Sequence, residues 1–96
     1  MTNHEALLRL SVNSHDHLAV ASLLDNNSNL IRTTVILYFG TEPVGVNLEF
    51  ALTQRMASYA RLYEPSEDAD AWLTRYANAA CDRLRSDSIY HQANRD

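Results

Sequence analysis

Val35-Ile36-Leu37-Tyr38-Phe39, the end of the segment Leu30–Phe39, is the longest uninterrupted apolar run in the chain. It lies between the asparagine-rich segment Asp25-Asn26-Asn27-Ser28-Asn29 and the first glycine, Gly40. A short apolar run bounded by turn residues and rich in β-branched and aromatic side chains reads as a buried strand. Gly40-Thr41-Glu42-Pro43 then reads as a turn. Beyond it Val44, Val46, Leu48 and Phe50 alternate with Gly45, Asn47 and Glu49, a period of two that completes a hairpin of residues 31–39 and 44–50. The competing reading starts a helix near Val46. An extended segment ending at Phe50 keeps that ring inside. An earlier helix start turns it outward and makes it an interface candidate.

The flanking segments read as helices. Asn3 offers a cap for a helix over residues 4–11, although Leu8, Leu10 and Val12 also alternate in the manner of a strand. Ser14 offers a second cap, with Asp16 in the first turn of a helix over 15–25. Val20, Ala21, Leu23 and Leu24 share its apolar face, with Leu18 at the edge. The five polar residues from Asp25 to Asn29 compete for local backbone hydrogen bonds and read as a loop.

A helix over 51–63 places Leu52, Met56, Tyr59 and Tyr63 on one face and stops at Glu64-Pro65. Ser66 and the acidic residues Glu67, Asp68 and Asp70 mark the start of the last helix, over 67–86. Ala69, Leu73, Tyr76, Ala77, Ala80 and Leu84 line its apolar face, with Trp72 on the border. Ala77 and Ala80 admit a close neighbour, either another helix of the chain or a second copy in a homodimer. The pattern fails near Ser86-Asp87-Ser88 and leaves a loosely held tail from about 89.

The expected fold is therefore α+β and mainly helical, a hairpin on three or four helices within a single domain of residues 1–96. An all-α bundle with Leu30–Phe39 as a buried helix is the alternative.

Composition bounds the function. The 96 residues are 46% apolar and 21% charged, an ordinary globular balance. The net charge of −4 argues against a protein that works by neutralising phosphates. All eight basic residues are arginine, a type enriched in protein interfaces, although genome composition also produces this bias. One cysteine excludes an internal disulfide. The start of the chain lacks a secretory signal, and no apolar run reaches the roughly 18 residues of a membrane helix. The expected location is the cytoplasm, that of the host if the gene is carried by a phage.

No motif for catalysis, metal or nucleotide stands out. His15-Asp16-His17 is the one compact cluster of metal-capable side chains. The His-Asp pair is similar to that of metal-dependent phosphohydrolases, which need further ligands on a larger helical frame. On a helix, moreover, His15 and His17 point about 200° apart. Ser14 beside His15 and Asp16 has no triad geometry. Cys81, deep within a helix, reads as a small buried hydrophobe rather than a nucleophile. Two glycines cannot form a phosphate-cradling loop.

What remains is surface chemistry. Phe50, Arg55, Tyr59, Arg61, Trp72 and Arg75 are of the types that dominate binding hot spots. The expected function is non-enzymatic binding of another protein, as an inhibitor, adaptor or regulator, with no cofactor, metal or membrane. Small accessory proteins of phages and plasmids share this composition. A nucleic-acid-binding regulator and a small metal-dependent hydrolase using His15, Asp16 and His17 are the alternatives.

Overall fold

The structure is a computed structural model that describes residues 1–40 and 46–93, with the backbone alone at 46–47 and 88–93. Among the described residues there is no strand. The elements are α1 (Asn3–Val12), α2 (His17–Asn26), α3 (Ser28–Phe39), α4 (Val46–Ser58), a 3₁₀ turn (Ala60–Leu62) and α5 (Ala69–Ala93). The all-α alternative fits, and the hairpin does not. The turn expected at residues 41–43 lies outside the described residues.

The segment 31–39 is helical for a reason visible in its pattern. Ile31, Thr34 and Val35 are buried and Tyr38 is half-buried, a spacing of three, four and seven that belongs to one helix face. The rest of the apolar run is not core. Ile36 and Leu37 lie on the opposite side and are 42% and 75% exposed. Gly40, at φ 87° and ψ −179°, ends the helix in a conformation that favours glycine, and its N–H donates to the Ile36 carbonyl at 2.8 Å.

The loop expected over Asp25–Asn29 contracts to one residue, Asn27, which closes α2 and opens α3. Its amide group explains the contraction. The Asn27 side chain donates to the Leu23 carbonyl and to Asn3 Oδ1, both at 2.9 Å, and accepts from Asn3 Nδ2 at 3.1 Å. Asn3 also donates to Asp70 Oδ1 at 2.9 Å. One asparagine pair thus ties the starts of α1 and α5 to the α2–α3 joint.

The starts of α1, α2 and α5 are displaced by a residue or two from the sequence expectation. Thr2, not Asn3, caps α1, accepting from the Glu5 N–H at 3.1 Å while the Glu5 carboxylate reaches back. Asp16, not Ser14, caps α2, accepting from the Ala19 N–H at 3.2 Å. Asp68, not Ser66, accepts from the N–H groups of Asp70 and Ala71 at the start of α5. The helix expected to begin at Ala51 begins at Val46, which overturns the extended reading of 46–50 and leaves Phe50 43% exposed. It also stops early, at Ser58, and the 3₁₀ turn carries the chain to buried Tyr63.

The longest helix, α5, lies against α3 and α4, while α1 packs on α2. Ala77, Ala80 and Cys81 are fully buried, and Cys81 Sγ lies 3.8 Å from the Thr34 carbonyl of α3. The small face of α5 is therefore covered by the chain's own helices and is not free for a second copy. α5 also passes through Ser86–Ser88 and runs to Ala93. Asp87, which spoils the apolar pattern, instead accepts from Arg55 of α4 at 3.2 Å. No described helix is long and apolar enough to cross a membrane.

Candidate protein-binding surface

Tyr59, Tyr63, Trp72 and Tyr76, with His4, form a column through one region of the core. Tyr63 meets Trp72 edge-on, with centroids 5.8 Å apart, and Trp72 stacks on Tyr76 at 4.2 Å and 23°. His4 meets Tyr63 on one side and Tyr59 meets Tyr76 on the other. The column bridges α1, the chain after α4, and α5, so it is a packing device between elements distant in sequence. The Tyr63 hydroxyl is 2.6 Å from His4 Nδ1 and donates to the Glu67 carbonyl at 3.2 Å. Burial, reinforced by Glu67 and Asp68, pushes the Tyr63 phenol upward.

The six candidates divide accordingly. Trp72 is 1% exposed and is core. Its indole N–H has no hydrogen-bond partner among the described residues, an exception to the usual satisfaction of buried donors. Tyr59 is half-buried at the column's edge. Arg75 lies over the Tyr76 ring, 5.3 Å from its centroid, and pairs with Glu67 at 3.3 Å. Arg55 is held by Asp87. Arg61 and Phe50 are exposed. Tyr59 and Arg75 come together at Tyr76, but Phe50 stands nine residues before Tyr59, about 13 Å away along the helix axis. The six do not make one patch.

The histidines behave differently from their sequence reading. His15 sits in the turn before the cap of α2 rather than on the helix. Both His15 and His17 consequently line one small cleft, with Ser14, Val20, Gln54 and Ser58. Asp16 does not join them. It caps α2 and pairs with Arg9 at 2.8 Å. The Ala19 N–H first, and Arg9 after it, hold its carboxyl below the usual value. Among the described residues no group of three histidine, cysteine or acidic side chains converges as a metal site. Cys81 is buried, and burial pushes its thiol up to about 11, far from the range of an activated nucleophile.

The surface that sequence reasoning missed is the outer face of α3. Arg32, Thr33, Ile36 and Leu37 are all exposed there. Ile36 and Leu37 were hidden from view because their run was read as core. The signal was present in the period: with Ile31, Thr34, Val35 and Tyr38 facing inward, the next two apolar residues must face out.

No family model, curated protein or solved structure matches this chain.

Proposed function

We propose that the chain is a non-enzymatic binding protein that acts on a larger protein, as an inhibitor, adaptor or regulator, through the outer face of α3. The observation that carries this reading is the adjacent exposure of Ile36 and Leu37 on one helix face. Single exposed apolar residues are ordinary on a protein surface. Val12, Leu18 and Leu62 are of that kind, each on a different element. Two large aliphatic neighbours are a stronger signal. Fully burying a side chain of this size is worth about 1.5–3 kcal/mol, and a partner that covers both gains what the fold leaves unused.

Three of the side chains suited to chemistry are engaged structurally, which supports binding over turnover: Asp16 as a cap, Cys81 as core, Tyr63 in a hydrogen-bonded column. Arg9, Arg55 and Arg75 each pair with a carboxylate at 2.8–3.3 Å. That disposition, with the net charge of −4, favours a protein partner over nucleic acid. α2 and α3 are consecutive helices, but a single residue joins them, where a DNA-reading helix pair uses a turn of three or four.

Affinity capture from a lysate of the source cells tests the reading. The wild-type chain is expected to retain a stoichiometric protein that an Ile36→Ser, Leu37→Ser double variant of unchanged circular dichroism loses. Retention by both chains, or salt-sensitive retention of nucleic acid alone, contradicts it.

A further inference from the structure

The charge around the exposed face of α3 specifies its partner. The twelve residues of α3 include Arg32 but no aspartate or glutamate, in a chain whose acidic residues outnumber its basic ones twelve to eight. Arg32 lies about 40° round the helix from Ile36, one turn away, and flanks the aliphatic pair on that side. On the other side Leu37 adjoins Tyr38, whose ring carries the Arg85 guanidinium of α5 at 5.2 Å from its centroid. The face is thus apolar at Ile36 and Leu37, with Arg32 one turn before them and Arg85 on the side of Tyr38.

Both arginines have capacity for a carboxylate. Arg32 is exposed and has no ion pair among the described residues. Arg85 meets Asp82 only at 3.5 Å, with both side chains about half exposed. Asn29, Arg32, Thr33, Ile36 and Leu37 form one exposed stripe at helical spacing. At 1.5 Å per residue the stripe from Asn29 to Leu37 runs about 12 Å, a little over two turns of a partner helix.

We propose that the occupant of this face is an amphipathic helix of another protein whose apolar stripe is bordered by carboxylates. The proposal rests on the reading of α3 as the binding surface. The Ile36–Leu37 crest enters the partner's apolar stripe, and Arg32 and Arg85 meet its acidic borders with charge-assisted hydrogen bonds. A second copy is a poorer fit, because its α3 brings the same arginine and no carboxylate.

Fluorescence anisotropy with two synthetic amphipathic peptides tests the proposal. Both carry the same leucine stripe, one bordered by glutamate and one by lysine. The full chain is expected to bind the glutamate peptide at least about tenfold more tightly, since like charges across an interface are costly. Arg32→Glu is expected to abolish or invert that preference, and Leu37→Glu to abolish binding of either peptide. Equal binding of both peptides, lost in Leu37→Glu, overturns the acidic partner while leaving the surface standing. Binding of neither peptide also overturns the proposal. Binding indifferent to Leu37→Glu overturns the surface itself. Sedimentation of the chain alone supplies a further arm: a dimer that Leu37→Glu dissolves assigns the face to a second copy and overturns the proposal.

Discussion

The aromatic column and the α3 crest have exchanged the roles that their residue types suggest. Trp72, Tyr63 and Tyr76 are hot-spot residues by type, yet they pack on one another where α5 meets the chain after α4. Ile36 and Leu37 are core residues by type, yet they stand on the outside of a helix whose other face is already full. The difference teaches that position on a helix face outranks residue identity. An aromatic that has neighbours on three elements is structure. An aliphatic pair left partly outside the core is what we propose for recognition.

The comparison is broken most forcefully at Trp72. Trp72→Ala removes the centre of the column and is expected to destabilise the chain by about 3–5 kcal/mol. For a chain of this size, with stability near the low end of roughly 5–15 kcal/mol, most of the fold is lost. Urea titration followed by circular dichroism measures it, and a change under about 1 kcal/mol means that the column is not core. A Thr2→Ala change, which removes the capping box of α1, is expected to cost about 1 kcal/mol by the same titration. The crest answers in the opposite way. Leu37→Ser is expected to shift stability by no more than about 0.5 kcal/mol, as at an exposed position.

Two further measurements sharpen the contrast between inside and outside. Cys81 sits beneath α3, and its thiol is pushed up to about 11 by burial. A thiol reagent at neutral pH is therefore expected to react slowly with the native chain and promptly in denaturant, whereas rapid native labelling means that the α3–α5 seam opens easily. The pH response concerns Asp16. Its carboxyl is depressed in the fold by the Ala19 N–H and Arg9 relative to the value of 3.8 it has when free. The stabilisation it gives is complete above that value and is lost as pH falls through the lower, folded one. Thermal melts are expected to decline in acid, and less steeply in Asp16→Asn, where the acid-sensitive part is gone.

Much of the helical frame was legible in the sequence. α1 and α2 fall within two residues of their expected bounds, and α5 starts two residues after its expected start at 67 but runs seven past its expected end at 86, because caps and apolar faces are local signals and the end of α5 has neither. The caps themselves were each assigned to a neighbour: Asn3 for Thr2, Ser14 for Asp16, Ser66 for Asp68. Adjacent polar residues compete for the same N–H groups, and the winner depends on where the chain turns. The apolar spacing of α3 was a local signal, but its start was hidden for a longer-range reason. The joint at Asn27 is held by Asn3 from the start of the chain, a contact that no local pattern reveals, so five polar residues looked like a loop and the apolar run after them like a strand. Phe50 was legible conditionally: its exposure follows from an early start to α4, and α4 begins at Val46. Asp87 was seen to break the pattern of α5, but its partner Arg55 lies on another helix.

The most direct test places a photo-crosslinking amino acid at position 37 of the chain and irradiates it in the source cells. Crosslinks to one protein at high yield, and to far less of it from the same probe at position 18 on α2, are the result expected of a working surface on α3. Equal and scattered crosslinking from the two positions contradicts it.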